Sequence, residues 1–510
     1  MHNGEQLVYA GNGVALSSAS HEEHAMELAR GKTIKFRGSL LSLLAAVAFA
    51  ALPGLAQDRE WRPIDPSAAY ALGNSPTAQS SAYCDPTKKR ALVLSGGGLK
   101  GAFQTGAIYH FIVHRHCDFR EIAGVSVGSL NAVILAQAQR DEDPEASLKN
   151  LAERSEKLVD VWQKIRSPKQ ILKPRWPGWM WALAMRYSLF GIESLNNFDP
   201  LMHLIQTNVD MDALGQGRPV RVGSVSIWDG TYQEVGPGAT FPNNDRRYFL
   251  QYVYASALLP IIGKMPRIQQ STEDTDAKQW IQYGDGGILN NTPLFNYFRK
   301  CAPQDTRAQD GEEPPCRAWL RNGTPPPQNV QQLFVVVTSP FTRHVDHYPV
   351  EPKLLASGSK QVTDGRKILR RTVDLMLETD FREDLTLMLN ANAVLAWRKR
   401  TYDAVIAALP AEQRKTFDLQ LAEINQAFPL HSYNEPPDGG PSLPYDVAVV
   451  APEKVYAESF HVDPENIALQ LHYGCLAADR MMQEDFHMTS MEQKCEDRFP
   501  MPKPGHSKNK

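Results

Sequence analysis

Two glycine-bounded turns constrain the fold of this 510-residue chain more than any other feature. Gly96-Gly97-Gly98-Leu99-Lys100-Gly101 follows the apolar run Ala91–Leu94, and Gly124-Val125-Ser126-Val127-Gly128 ends the second apolar run. Apolar residues at helical spacing come after each turn, which predicts a strand–loop–helix–strand–turn–helix unit and a partly parallel sheet. A serine between two glycines, in a tight turn from strand to helix, is typical of a nucleophile elbow.

The glycine loop presents backbone N–H groups at the start of a helix, which suits the binding of a developing oxyanion. Together with the serine turn, it indicates acyl transfer from an ester. A dinucleotide site is a rival interpretation, because the loop also satisfies G-x-G-x-x-G and Asp118 or Glu121 stands where a ribose-binding acid would lie. The position of Ser126 favours acyl transfer, since a nucleotide fold has no reason to place a serine between glycines there.

Further motifs follow in a specific order. Ala255-Ser256-Ala257-Leu258-Leu259-Pro260 comes after the serine turn, and Asp285-Gly286-Gly287 is followed by Asn291 and Pro293. In this order the four motifs resemble those of the patatin-like phospholipases, over roughly residues 88–345. The resemblance implies a three-layer α/β/α fold with a mainly parallel central sheet, here with a helical C-terminal elaboration.

The resemblance also implies roles for individual residues. Ser126 would be the nucleophile and Asp285 its base, a dyad without histidine and without a cofactor. The oxyanion hole would consist of Gly96, Gly97, Gly98 and Lys100, and Gly124 and Gly128 would flank the elbow. Lys100 stands where such proteins commonly have arginine; it keeps the charge but loses the bidentate fork. Asn291 and Pro293 would shape the turn after Asp285.

Two other interpretations stay open. A Ser-Asp-His hydrolase would need a histidine after Asp285, and that part of the chain contains His344, His347, His431, His461 and His472. A lipid-binding or scaffold protein with little turnover is the alternative outside enzymes. The intact serine, aspartate and glycine loop favour an enzyme.

Composition argues against two further classes. The six cysteines show no C-x-x-C spacing and H-E-x-x-H does not occur, so we expect no metal site. The 54 basic and 57 acidic residues nearly balance, so we expect no nucleic-acid partner. The expected partners are a phospholipid or other acyl-ester substrate and a membrane surface.

The N-terminal region has the layout of a signal peptide. Basic residues in 26–37 precede a thirteen-residue apolar run at 40–52, and small residues follow at 53–56. We expect a bacterial protein that is exported, periplasmic or secreted, with translation starting at Met26. The alternative is an inner-membrane anchor formed by residues 40–56. In an exported chain, Cys301–Cys316 and Cys475–Cys495 are plausible disulfides, with free thiols as the other possibility.

The predicted organisation has five parts. Residues 1–56 are the N-terminal extension with the signal peptide, 57–87 an extended linker, and 88–345 the catalytic domain. Residues 346–440 form a helical elaboration, in which an amphipathic helix is expected over 360–400, and 441–510 supply a strand, a helix and the tail. Strands are expected at 220–228, 233–235, 333–337 and 445–450.

A tryptophan-rich stretch bears on access to the site. Trp176, Trp179 and Trp181 stand beside basic residues, a combination that suits a bilayer interface. We expect a lid or membrane-contacting patch there, and packing against the elbow helix is the alternative.

Overall fold

The computed structural model describes residues 83–175, 194–239, 241–269, 280–298, 330–340, 365–427, 441–454, 463–482 and 490–502. All of them belong to one compact unit, residues 63–510. The signal-peptide prediction, Trp176, Trp179 and Trp181, and the Cys301–Cys316 pair lie outside the described residues, so these stay predictions. Within the described part, no helix is long and apolar enough to cross a membrane.

A mixed sheet with parallel strands at its centre organises the fold. Its strands are β1 (Arg90–Leu94), β2 (Glu121–Val125), β5 (Val220–Ser226), β6 (Tyr232–Val235), β8 (Arg267–Gln269), β9 (Trp280–Asp285), β10 (Gln332–Val336) and β11 (Asp446–Val450), in the order β11-β10-β1-β2-β5-β9-β8 with β6 beside β5. The first five strands of this order are parallel, and β6, β8 and β9 pair antiparallel. A smaller sheet contains β3 (Lys173–Pro174), β4 (Ser194–Asn197) and β7 (Ile261–Gly263).

The helices are α1 (Gly101–Tyr109), α2 (Val127–Ala136), α3 (Pro144–Lys164), α4 (Asp199–Asn208), α5 (Met211–Gln216), α6 (Arg247–Ser256), α7 (Gly365–Ala408), α8 (Ala411–Ala427), α9 (Pro464–Met482) and α10 (Ser490–Arg498). A π-helical turn, His110–His114, continues α1. Short 3₁₀ turns lie at Gly98–Lys100, within the glycine loop, and at Gly286–Ile288, directly after Asp285.

Side chains alternate along each strand, so the sheet separates two cores. Leu92 and Leu94 of β1 join the core built with α1, α2, α3, α6 and α9. Ala91 and Val93 face the other core, where Phe381 and its neighbours on α7 pack. These two cores confirm the α/β/α layers. Helix α7 therefore covers the second face of the sheet, whereas α9 joins the first core, so the helical elaboration has a structural role in the fold.

The strand and helix predictions agree with the structure apart from their ends. Gln332–Val336 and Asp446–Val450 are one residue offset from the expected strands, and Asp446–Val450 joins the sheet beside β10. Phe381, Leu385 and Met388 are buried as expected for the long helix. Cys475 pairs with Cys495 as the spacing suggested, whereas the second disulfide, Cys84–Cys117, was not anticipated.

Candidate active site

Ser126 occupies a strained turn between β2 and α2. Its backbone has φ 54° and ψ −128°, a region that residues with a side chain rarely adopt. A Cβ on Gly124 would lie 2.3 Å from the Gly128 carbonyl oxygen, and one on Gly128 would lie 2.4 Å from that of Leu94. Only glycine fits at either position, so the turn has the shape predicted for a nucleophile elbow.

Neighbouring hydroxyl groups hold this turn in place. The Ser126 N–H donates to Ser256 Oγ at 2.9 Å, and Ser256 Oγ donates to the Gly223 carbonyl at 2.5 Å. The Ser129 hydroxyl donates to the Ser126 carbonyl at 2.6 Å. The backbone groups of the strained residue are thereby satisfied without water, which leaves its side chain to face the cavity described below.

The register of the sheet brings Asp285 to Ser126. Val125 pairs with Gly223 of β5, so Ser126 comes level with the next residue, Ser224. Asp285 pairs with Ser224 from the other side of β5. The Ser126 side chain reaches across this strand toward the Asp285 carboxylate and is near enough to stabilise its charge. The two residues predicted as a dyad therefore meet, although 159 positions separate them in the chain.

Burial alters the acidity of Asp285. It is 1% exposed, and this burial raises the pKa of its carboxyl to about 7, against an ordinary value of 3.8. The nearby Ser126 hydroxyl and a hydrogen bond from the Gly287 N–H, at 2.8 Å, favour the carboxylate and oppose the rise. A carboxylate with a pKa near neutrality is a far better proton acceptor than an ordinary aspartate.

The glycine loop lies beside Ser126, but its members play different parts. A Cβ on Gly96 would come 3.0 Å from Ser126 Cβ, so the loop touches the nucleophile. The Gly96 N–H donates to the Asn291 carbonyl at 2.9 Å and is therefore not a donor for an oxyanion. Gly97 and Gly98 have φ values of 153° and 60°, and their N–H groups donate to no group among the described residues. Of the predicted donors, these two remain candidates, and their role in an oxyanion hole stays a prediction.

Lys100 departs from its predicted place. Its N–H donates to the Gly97 carbonyl, and its buried ammonium donates to Ser339 Oγ at 3.1 Å, next to the end of β10. Lys100 does not line the cavity that contains Ser126. The side chain therefore anchors the loop to the sheet, and the prediction that it belongs to the oxyanion hole is not supported.

Ser126 and Asp285 open onto an apolar cavity. Its empty volume, with the open mouth included, is about 1020 Å³. Apart from Gly98, Ser126, Asn131 and Asp285, every lining residue is apolar, and half of the apolar residues come from α2, the end of α3, and α4. The apolar lining includes Leu130, Ile134, Val161, Trp162, Leu201 and Ile205. Such a cavity excludes water from the pair and favours a hydrocarbon chain.

The rival interpretations find no support in the described residues. The carboxylate of the buried Glu121, on β2, pairs with Arg221 of β5 at 2.5 Å. Asp118 pairs with Arg218 at 2.6 Å. Both acids are thus taken up in ion pairs and neither is available to a ribose. His472 Nδ1 donates to the Phe499 carbonyl oxygen at 2.7 Å, and no histidine of the described part lines the cavity. The other candidates, His344, His347, His431 and His461, lie outside the described residues.

Sequence reasoning missed Ser256 as a supporting residue. It noted the Ala255–Pro260 stretch as a motif but assigned no role to its serine. The local signal was weak, because a serine at the end of a helix is common in any protein. Only the pairing of β5 with β2 shows that this hydroxyl reaches the backbone of the elbow.

A protein-family model matches the segment of the chain that contains the site. The family model described as patatin-like phospholipase matches residues 92–296, the segment that contains the elbow, the glycine loop and Asp285. No curated protein matches the chain.

Similar solved structures share little sequence with this chain. VipD from Legionella pneumophila is 12% identical, with 78% of this chain and 67% of VipD covered and a TM-score of 0.29. For human GIVD cytosolic phospholipase A2 these values are 12%, 59%, 49% and 0.26. For ExoU of Pseudomonas aeruginosa, in complex with SpcU, they are 14%, 66%, 61% and 0.20. The chain thus spans about half the length of the human protein.

Proposed function

We propose that the chain, whose residues 92–296 match the family model of patatin-like phospholipases, hydrolyses acyl esters of lipids through a Ser126–Asp285 dyad. The observation that carries the proposal is the approach of these two side chains, brought together by the register of the sheet at the wall of an apolar cavity. A polar reacting pair on an otherwise apolar surface suits an ester whose acyl part is a hydrocarbon chain.

The first half-reaction is acylation of the serine. Asp285 accepts the hydroxyl proton of Ser126 as Oγ attacks the acyl carbonyl carbon. The resulting tetrahedral oxyanion is bound by the N–H groups of Gly97 and Gly98, at the start of the turn that leads into α1. The C–O bond to the alcohol then breaks, and Asp285 returns the proton to the leaving alkoxide.

The second half-reaction is deacylation. Asp285 accepts a proton from water, whose oxygen attacks the acyl-enzyme carbonyl, and the same N–H groups bind the second oxyanion. Collapse of this intermediate releases the fatty acid, and the proton returns to Ser126 Oγ. One carboxylate serves both steps, and its raised pKa lets it accept and release a proton near neutral pH.

The substrate class follows from the cavity. Each methylene of an acyl chain that leaves water contributes about 0.8 kcal/mol, so the apolar lining favours long chains over short ones. We propose phospholipids at a membrane surface as the substrate, since a long acyl chain resides in a bilayer. The layout of residues 26–56 supports our further proposal that the protein is exported.

Hydrolysis assays on the chain without residues 1–56 test the proposal. Wild type, Ser126→Ala and Asp285→Asn are compared on a short p-nitrophenyl ester and on mixed phospholipid vesicles, with exposed Asp212→Asn as the matched control. We expect both site variants to lose roughly 10³-fold or more in kcat while Asp212→Asn stays at the wild-type rate. Circular dichroism verifies that the variants are folded.

Each other result has a distinct meaning. Turnover that persists in Asp285→Asn removes the dyad and points to a histidine base. A folded wild type that hydrolyses neither substrate favours the lipid-binding alternative, which vesicle co-sedimentation then examines directly.

A further inference from the structure

Four metal-binding side chains converge on the side of the fold where the C-terminal helices pack. His110 and His114 lie in the π-helical turn after α1, Cys475 lies on α9, and Cys495 lies on α10. One ligand atom from each residue lies within 4.8 Å of the others. His110, Cys475 and Cys495 are buried and His114 is half-buried. We call these four residues the Cys₂His₂ cluster.

The nitrogen–nitrogen and nitrogen–sulfur spacings are close to those of tetrahedral zinc, whereas the two sulfurs, bonded to each other here, would have to separate to about 3.8 Å. Zinc–sulfur bonds of about 2.3 Å and zinc–nitrogen bonds of about 2.05 Å place nitrogens about 3.3 Å apart and nitrogen about 3.6 Å from sulfur. The two Nδ1 atoms of the cluster are 3.2 Å apart. His110 Nδ1 lies 3.8 Å from Cys475 Sγ and 3.6 Å from Cys495 Sγ, and His114 Nδ1 lies 4.0 Å from Cys475 Sγ.

The far side of the His110 ring has the partner that metal-binding histidines usually have. Asp479 Oδ1, on α9, lies 3.4 Å from His110 Nε2. Arg115 pairs with the same carboxylate oxygen at 2.8 Å and so fixes its position. Arg115 Nε donates to the same His110 Nε2 at 3.2 Å, so that nitrogen is an acceptor in this structure. For Nδ1 to bind a metal, the ring proton has to move to Nε2, where Asp479 can accept it once Arg115 turns away from the ring.

Close helix packing positions the cluster independently of any bond between the cysteines. A Cβ on Gly106 would lie 2.0 Å from the Leu471 carbonyl oxygen, and one on Gly474 would lie 2.0 Å from that of Phe103. Backbones of α1 and α9 are thus in contact at two glycines. His110 follows Gly106 by one helical turn and Cys475 follows Gly474 directly, so this contact brings imidazole and sulfur together.

Cys475 and Cys495 form a disulfide in this structure. We propose that in the dithiol form of the chain the Cys₂His₂ cluster binds one zinc ion, so that disulfide and zinc are alternative states of the same site. The disulfide by itself does not explain why two imidazoles lie beside its sulfurs. Two thiolates and two neutral imidazoles are also the ligand set that zinc prefers in closed sites.

The conversion balances in atoms and charge. A dithiol reductant gives two electrons and two protons to the disulfide and becomes a disulfide itself, leaving Cys475 and Cys495 as thiols. Zinc binding then releases both thiol protons to solvent. The two thiolates cancel the charge of the dication, which matters because Arg115 and Lys494 already place positive charge near His110.

Zinc binding to the reduced chain tests the proposal without an activity assay. The protein is reduced with a phosphine, stripped of metal and titrated with Zn²⁺ against a chromophoric chelator, and Co²⁺ reports the coordination geometry. We expect about one zinc per chain and the strong visible absorption of tetrahedral cobalt. Chain oxidised at Cys475–Cys495 should bind neither ion at this site.

Variants separate a metal site from a purely structural disulfide. His114→Gln should lower zinc affinity at least about 100-fold, and Asp479→Asn about 10–100-fold, as for loss of a hydrogen-bond partner behind a ligand. Peptide mapping should still find the Cys475–Cys495 disulfide in oxidised His114→Gln. Controls are exposed His116→Asn, at a positive φ that asparagine tolerates, and the double variant Cys84→Ser/Cys117→Ser; both should bind zinc like wild type.

Two results would overturn the proposal. The first is a reduced, folded wild type that binds no more zinc than Cys475→Ser. The second is a folded His114→Gln that binds zinc as tightly as wild type.

Discussion

Ser256 Oγ accepts the backbone N–H of Ser126 at 2.9 Å while it donates its own proton to the Gly223 carbonyl. One hydroxyl thereby joins α6, the elbow and β5. The Ser126 N–H belongs to the residue with the strained backbone, so this bond helps to fix the conformation that directs the nucleophile.

Ser256→Ala leaves the Ser126 N–H buried without an acceptor. We expect a loss of about 1–3 kcal/mol in the free energy of unfolding, the usual cost of an unsatisfied buried group, and a lower kcat with KM nearly unchanged. Urea unfolding and steady-state kinetics measure both. Ser155→Ala on α3 is the control, because the buried Ser155 hydroxyl has no hydrogen-bond partner among the described residues. Equal losses in the two variants would contradict the assigned role.

The raised pKa of Asp285 predicts a pH dependence of activity. As a general base, Asp285 must be ionised, and its pKa is about 7. We therefore expect kcat/KM to rise about tenfold per pH unit below neutrality and to level off above it. A pH–rate profile on a soluble ester measures this, and a rate that does not change between about pH 5 and 9 would be inconsistent with Asp285 as the base.

The same pKa predicts an effect on stability. Folding raises the pKa of this acid from 3.8 to about 7, so the folded state prefers the proton and loses stability as the pH rises through this window. The difference of about 3 units corresponds to at most about 4 kcal/mol. Asp285→Asn, which cannot ionise, should gain stability relative to wild type at about pH 8 but little at about pH 4. Urea unfolding at the two pH values decides this.

Gly128 lets the elbow approach β1. Gly128→Ala would place Cβ 2.4 Å from the Leu94 carbonyl oxygen, a backbone atom that cannot move alone. We expect a loss of at least about 1–3 kcal/mol in unfolding free energy, as for other overpacked sites. Gly238→Ala is the matched control, because nothing lies within 4 Å of its added Cβ. Similar thermal unfolding curves for both variants would argue against the packing described here.

Filling the cavity should change the preferred acyl chain. Leu201 lines it and is 3% exposed, so Leu201→Trp would take space from a long chain. We expect kcat/KM to fall about tenfold or more for long-chain esters, since two excluded methylenes correspond to about 1.6 kcal/mol, and to stay near wild type for acetyl esters. Parallel assays along a chain-length series measure this. An equal fall for all lengths would indicate damage to the site itself.

Two exposed tryptophans lie at the same end of the sheet as Ser126, near the carboxyl ends of the parallel strands. Trp228 follows β5 and is 84% exposed, and Trp280 begins β9 and is 53% exposed. Tryptophan suits the interface of a bilayer, so Trp228→Ala/Trp280→Ala should weaken vesicle binding and vesicle hydrolysis while sparing a soluble ester. Trp397→Ala, 58% exposed on α7, is the control. Vesicle binding unchanged in the double variant would remove this surface from the membrane proposal.

The sequence predicts the local turns of this fold better than the contacts between distant segments. Ser126, Asp285 and the turns around them could be inferred because glycine positions and strand-ending apolar runs are local signals. The contact of the Lys100 ammonium could not be predicted, because a lysine within a loop carries no local information on which part of the sheet it will meet. Its contact, Ser339, depends on β10 pairing with β1 across more than two hundred positions.

The Cys₂His₂ cluster could not be predicted from the sequence either. Metal motifs in a sequence are recognised when their ligands are close together, as in C-x-x-C. Here the histidines and the cysteines come from segments more than three hundred positions apart. The expectation of no metal site followed from spacing alone, and only the contact between α1 and α9 makes the cluster visible.

The contact between α1 and α9 also bears on the order of events during synthesis. The helix that leaves the glycine loop packs its backbone against residues 471–475, and the edge strand β11 is made only shortly before them. Nearly the whole chain must therefore be translated before α1 can pack against α9. Until then the part of its surface that faces α9 stays uncovered. Nascent chains that stop near residue 345 should accordingly depend on chaperones and fail to accumulate as folded protein.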